Sequence, residues 1–328
     1  MGKRWAIVIG LAATGVMALG AATASATFPG SNGRIAFSAF IEETESLEIL
    51  TANPNGGDVQ KLTSNPNAFS DLPDWSPDGQ RIAFQTEREN VDEPAQIHVM
   101  NADGSDLTQL TRGPGFHGAP GWSPDAASLA IDADWGGGPA LQGIWIIPAS
   151  DPGGVTQQEA RRLTTLPAGF DFDSEPQFSP DGSSIVFTRF KSARKSAIHT
   201  VGVDGTGLER LTKWRLNASD PDWSPNGKKI AFDSGDFGGE TDGGGNIHVM
   251  RADGSKRKKL TDHRRLRKGD PFKVANNPVW SPSGTRIMFT RFLPERTKLV
   301  AMRPNGSHKH VALDRPRFTN KVDWGTHP

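Results

Sequence analysis

The chain has 328 residues, with 37 basic and 37 acidic side chains, so its formal charge at pH 7 is zero. That balance gives no global reason to expect nucleic acid as a partner. Cysteine and tyrosine are both absent, which excludes a disulfide framework, a thiolate metal site and a lipid-modified cysteine, and leaves burial alone to hold the fold.

At the start of the chain, Lys3 and Arg4 precede an apolar run from Trp5 to Leu19, and Ala24-Ser25-Ala26 follows. This order predicts a secretory signal over residues 1–26, cleavage after Ala26, and an exported protein, periplasmic or secreted, whose mature domain spans 27–328. Losing Lys3 and Arg4 leaves a formal charge of about −2, and no later stretch is long and apolar enough to span a bilayer. A mature chain of about 300 residues is too long for one ordinary core and suits a repeat array or a large all-β domain.

A repeat is visible from Leu72 onward. Leu72-Pro73-Asp74-Trp75-Ser76-Pro77-Asp78-Gly79 leads into one apolar quartet, Arg81 to Phe84, and a charged interval leads into a second, Ile97 to Met100. Asn101-Ala102-Asp103-Gly104-Ser105 and Leu110-Thr111 complete the unit, and the same order of parts recurs around Trp122, Phe178, Trp223, Trp280 and, in part, Trp324. Intervals of roughly 45 to 57 residues between these anchors fit propeller blades better than helical or leucine-rich repeats.

The turn chemistry predicts four antiparallel strands per copy. Ser76-Pro77-Asp78-Gly79 suits a type I turn between strands one and two, with proline where its fixed φ is useful and glycine last. Asp103-Gly104, Asp204-Gly205, Asp253-Gly254 and Asn305-Gly306 mark hairpins between strands three and four. Pro73, Pro120, Pro176, Pro221 and Pro278 place strand one at a sheet edge, because proline removes a ladder donor. The first copy begins at Phe28 without its Pro-x-Trp strand, and Lys321-Val322-Asp323-Trp324 is that strand alone. The expectation is an all-β, six-bladed β-propeller of four-stranded antiparallel blades, closed by the C-terminal strand completing blade one.

The Trp75-Ser76-Pro77-Asp78-Gly79 element, with Asn101 to Ser105 and Leu110-Thr111 behind it, resembles the WD40-like β-propeller repeat of the TolB type over essentially the whole mature chain. The family's namesake is a periplasmic component of the Tol-Pal cell-envelope system and carries an α/β domain before its propeller. Here only Thr27 separates the expected cleavage site from Phe28, so the resemblance implies a propeller lacking that domain.

Antiparallel alternation puts the short turns on one face and the variable loops, with the links between blades, on the other. Variable loops on a rigid scaffold are where binding residues are usually carried. Glu42, Glu43, Glu45, Glu87, Glu89, Asp92, Glu93, Asp171 and Asp173 are expected to make one half of that face acidic. Arg189, Lys191, Arg194, Lys195, Lys213, Arg215, Arg264, Arg265, Arg267, Lys268, Arg315 and Arg317 are expected to make the other basic. The run Lys256 to Lys259 could meet nucleic acid, which export disfavours, or an anionic envelope polymer; it also spans a turn and an outer strand, where its charges would protect a sheet edge.

The residues leading into the innermost strands are Asp71, Glu175, Asp220, Asn277 and Lys321, with Asp173 close by and His117 in the link before blade three. Together they form the candidate binding site at the channel mouth. His98, His199 and His248 recur at one place in strand three, so they are expected to lie apart and pack between blades, as Trp145 does in blade three. No paired spacing makes His117 and His263 a metal site, and Asn101 to Asp106 lacks the alternating ligands of a calcium loop. The loop Asp233 to Asn246, with Asp236, Glu240 and Asp242, offers a weaker calcium alternative. No Gly-x-Ser-x-Gly elbow occurs. The sequence therefore points to a noncatalytic, monomeric propeller without cofactor that binds a protein or an envelope polymer. The alternative is an extracellular carbohydrate-active lyase or hydrolase using paired carboxylates at the channel mouth.

Overall fold

A computed structural model describes residues 28–66, 68–87, 94–150, 154–192, 195–235, 245–262, 274–293, 296–315 and 319–327. The expected signal sequence, Glu89, Asp92, Glu93, Arg194, the acidic loop at Asp236, Glu240 and Asp242, His263, the cations from Arg264 to Lys268, and Arg317 all lie outside these residues.

Six four-stranded antiparallel sheets make the blades. In blade one the C-terminal strand Thr319–Thr326 lies inside Asn32–Ile41, followed outward by Ser46–Ala52 and Gln60–Lys61. The innermost strands of blades two to six are Ser70–Trp75, His117–Trp122, Phe172–Phe178, Ala218–Trp223 and Val274–Trp280, each carrying its proline at the sheet edge. The outermost strand has only 2 residues in blade two, Thr108–Gln109, and in blade five, Lys258–Lys259. Such short edges offer little ladder to another chain.

The turns follow their side chains. Gly79 N donates to Ser76 O at 2.9 Å, while Ser76 Oγ donates to Asp78 Oδ1 and accepts from Arg81 N. Gly79 then takes φ +69°, a left-handed conformation that glycine adopts without a Cβ penalty. At the second hairpin, Gly104 is left-handed but Asp103 is not, and Asn101 N donates to Ser105 O at 2.8 Å. This is a type I turn ending in a glycine bulge rather than a two-residue loop.

Between blades the core is built from the repeated tryptophan. Trp75 of blade two shares a cluster with Ala36 and Ile49 of blade one, and Trp280 of blade six shares one with Ala231 and Ile247 of blade five. Trp324 joins Val279 and Met288 of blade six to Phe37 and Leu50 of blade one, sealing the ring. Each buried aromatic contributes about 1.5–3 kcal/mol relative to exposure. The aspartate before the tryptophan links the blades through hydrogen bonds: Trp75 N donates to Asp323 Oδ2 at 2.7 Å, Trp122 N to Asp74 Oδ2 at 2.9 Å and Trp280 N to Asp222 Oδ2 at 2.6 Å.

The three repeated histidines sit in separate blades, as their register requires, and each has an aromatic contact within its own blade, while His199 also meets Trp214 of the following link. His98, His199 and His248 lie against their cross-strand partners Phe84, Phe187 and Phe232, with ring centroids 5.9, 5.6 and 5.2 Å apart.

Candidate functional site: a buried polar ring in the channel

Proline restricts the residue before it, and in five blades that residue is left-handed at an irregularity in the innermost strand. The positions are Leu72 (φ 58°), Ala119 (50°), Glu175 (64°), Asp220 (51°) and Asn277 (51°). Positive φ is uncommon for such side chains, so the bulge is a feature of the blade that re-aims one residue per inner strand. The sixth position is Lys321, followed by Val322 instead of proline and not left-handed.

The structure brings together Glu175, Asp220, Asn277 and Lys321, which are at most 3% exposed. Glu175 Oε2 accepts from Thr188 Oγ1 and, at 2.7 Å, from Asp220 N of the next blade. The Asn277 amide nitrogen donates to Asp220 at 2.9 and 3.1 Å, with its side-chain oxygen and nitrogen assigned to satisfy that contact. Asn277 N donates to Asp233 Oδ2 at 3.0 Å, and Ser219 Oγ donates to Asp233 Oδ1 at 2.7 Å. Backbone amides left unpaired by the bulge are thus capped by side chains of the preceding blade.

The other candidates lie elsewhere. Asp71 is one residue before the ring position, which Leu72 occupies; it accepts from Ser38 Oγ and from Leu72 N. Asp173 forms a buried two-point ion pair with Arg189, Nε to Oδ1 and Nη2 to Oδ2 both at 2.6 Å, and accepts from Thr164 Oγ1. That pair removes both residues from the expected charges of the loop face. Burial pushes the Asp173 carboxyl up, while Arg189 and Thr164 pull it down. His117 is fully buried, its Nδ1 2.6 Å from Gln96 Oε1 and its ring 4.1 Å from Trp135. Burial lowers its pKa to about 4 against the pull of Asp134.

Sequence reasoning missed Asp132 and put Asp233 at the start of a loop, whereas it lies in strand Lys229–Ser234; both follow the apolar quartet of strand two where Gln85 and Thr188 stand in other blades. Their signal was a polar residue recurring at that place. It also missed Asp74 and Asp323, whose charges act on Lys321 together with those of Asp220 and Glu175. One buried ammonium cannot offset so many carboxylates, so desolvation decides the protonation. It raises Glu175 to about 8, Asp132 to about 7, Asp233 to about 6, and Asp220 well above its ordinary value. Asp220 and Asp233 share a hydrogen bond that raises Asp220 and lowers Asp233, so Asp220 carries the shared proton. Burial lowers Lys321 while Asp74, Asp323, Asp220 and Glu175 raise it.

Chemically, the ring holds protons and hydrogen bonds inside a closed set of side chains. Among the described residues, no group of three or more His, Asp or Glu is placed to hold a metal ion, and no helix is long and apolar enough to cross a membrane.

A family model described as the TolB beta propeller domain matches residues 154–327, just over half of the chain. An uncharacterized protein of Agrobacterium fabrum is 26% identical over 315 residues, covering 83% of this chain and 97% of that protein. An uncharacterized peptidase of Bacillus subtilis is 28% identical over 160 residues, covering 49% of this chain, which spans only 21% of that relative. The crystal structure of TolB from Acinetobacter baumannii superposes with a TM-score of 0.70 at 20% identity, covering 92% of this chain and 68% of that one. Six closed blades, the repeated Trp-Ser-Pro units and the match over residues 154–327 establish that the chain belongs to the TolB beta propeller domain family.

Proposed function

We propose that the protein is an exported, monomeric and noncatalytic propeller that binds a protein or a cell-envelope polymer through its variable-loop face. The observation that carries this reading is the distribution of exposed charge. Glu42, Glu43 and Glu45 of blade one stand on the same face as Lys191 and Lys195 of blade four and Lys213 and Arg215 of the link that follows it. Blades one and four oppose each other across a six-bladed ring, so a partner of matching polarity is oriented as it approaches, in a salt-dependent way. The ring of Glu175, Asp220, Asn277 and Lys321 acts in this reading as the rigid support beneath the loops.

Envelope fractions captured on the wild-type protein, on a variant with Glu42, Glu43 and Glu45 changed to Lys, and on one with Lys191 and Lys195 changed to Glu test the proposal. Loss of the same partners in both variants is expected; an unchanged partner set sinks it. A second reading, a carbohydrate lyase or hydrolase, is favoured by the Asp220 and Asp233 pair, whose raised pKa values suit acid and base chemistry. Burial of both groups, 3% and 0% exposed, favours binding over turnover. Cleavage of an envelope polysaccharide that disappears in Asp220→Asn overturns the noncatalytic assignment.

A further inference from the structure

The link between blades four and five builds a groove unlike the buried ring. Its residues Trp214–Leu216 form a single 3-10 turn closed by the left-handed Asn217, with Leu216 N donating to Lys213 O at 2.9 Å and Asn217 N to Trp214 O at 3.2 Å. This turn leaves Lys213 and Arg215 exposed and packs Leu216 against the apolar cluster of Ile230, Phe232 and Met250. Two clefts meet at Arg215. One, of about 300 Å³, has Leu211, Leu216 and Met250 as its apolar lining and Lys213, Arg215 and Arg257 as its cations. The other, of about 450 Å³, is lined by Lys191, Lys195 and Trp214.

We infer that this groove binds an acidic peptide segment carrying one large apolar side chain. The inference rests on the loop-face reading above and names the partner chemistry where that face runs onto the outer rim between blades four and five, since Arg257 follows the Asp253-Gly254 hairpin of the other face. Five exposed cations, Lys191, Lys195, Lys213, Arg215 and Arg257, converge on the two clefts, and none forms an ion pair among the described residues. The neighbouring Asp253 is turned into its own hairpin, where Oδ1 accepts from Ser255 N at 2.8 Å. A concentration of one charge sign without an ion pair among the described residues suits carboxylates of the opposite sign, and the guanidinium of Arg215 can engage them through two parallel hydrogen bonds.

The apolar lining separates a peptide from an acidic polysaccharide. Leu211 and Leu216 are only partly buried, with the buried Met250 beneath them, and a polymer of sugar acids has no apolar group to cover that surface. Trp214 is also poorly available as a sugar platform. The Arg210 guanidinium lies 5.4 Å from its ring centre, and the rings of Phe170 and His199 pack at 5.5 and 5.6 Å. An acidic segment with one Leu or Phe satisfies both parts of the groove, its apolar side chain covering Leu211 and Leu216 and its flanking carboxylates meeting the cations.

The test is fluorescence anisotropy with fluorescein-labelled peptides of about ten residues: one with Leu flanked by Glu and Asp, the same peptide with a central Ala, and one with Leu flanked by Ser and Gln. Oligogalacturonate serves as the polysaccharide arm. The Leu-centred acidic peptide is expected to bind best, to weaken with added salt, and to lose about tenfold in affinity with the central Ala or with Arg215→Glu. Lys213→Glu, also exposed, gives a second variant, and thermal melting verifies that both remain folded. Absence of binding at millimolar peptide, equal binding of the Ala-centred peptide, tighter binding of oligogalacturonate, or indifference to both substitutions overturns the assignment. Failure of the peptide titration with capture of envelope partners intact sinks only the groove. Loss of the charge-reversal effect on capture sinks the loop-face reading itself.

Discussion

Replacing Glu175 with Gln isolates the stability carried by one buried proton. Burial raises the Glu175 carboxyl from 4.5 to about 8, so the folded protein keeps a proton that the unfolded chain has released. A folded pKa above the unfolded one contributes stability below the unfolded pKa, and that stability is lost as pH rises through the folded value. Between pH 7 and 8.5, titration of this single group removes roughly 1 kcal/mol of stability, which for a domain of this length lowers the melting temperature by roughly 2 °C. Gln keeps an oxygen for the Thr188 hydroxyl and the Asp220 amide, but it does not titrate. Thermal melts of wild type and Glu175→Gln across that pH range are the assay, and the difference between the two curves cancels the groups outside the ring, leaving Glu175 together with Asp220 and Lys321, on which its charge acts. Wild type is expected to lose about 2 °C more than the variant. Identical slopes refute the protonated Glu175.

Asp323→Ala leaves Trp75 N and Trp324 N, which Asp323 accepts at 2.7 and 2.6 Å, without their carboxylate. A loss of about 1–3 kcal/mol is expected as a lower urea midpoint with unchanged slope, and Asp323→Asn is milder. Arg189→Ala strands the buried Asp173 carboxyl and costs about 3 kcal/mol by urea unfolding, whereas the double change Arg189→Met with Asp173→Leu recovers most of it. On the acid side, burial lowers His199 to about 4; this depressed pKa gives stability present above pH 6.5 and lost as pH falls toward 4. His199→Phe keeps a ring against Phe187 and is expected to reduce the melting loss between pH 6.5 and 4 by about 1–2 kcal/mol, again read by thermal melts.

The fold was legible because each blade repeats its own punctuation. Pro73 names an edge strand, Ser76 to Gly79 names the turn after it, and the lone Lys321 to Trp324 strand names the closure, since each depends on local backbone chemistry and on counting parts. The ring was legible only in part. Glu175, Asp220, Asn277 and Lys321 are legible because they precede the repeated proline or its equivalent, whereas in blade two the pattern points to Asp71 and the structure puts Leu72 at that position. A shift of one residue through the bulge is invisible when strands are read as uninterrupted alternation.

Which charges meet was decided by tertiary structure alone. In sequence, Asp173 and Arg189 looked like opposite poles of an exposed face, but register puts them opposite each other on paired strands and burial joins them. The meeting of Lys321 with Glu175, Asp220, Asp74 and Asp323 joins residues from four blades across the channel axis. By itself the sequence determined the blades, their number and how the ring closes, because period, turn residues and edge prolines act within one repeat. The closed ring decided which carboxyls are neutral and where exposed cations gather, because desolvation and charge pairing depend on distances between blades that no local pattern encodes.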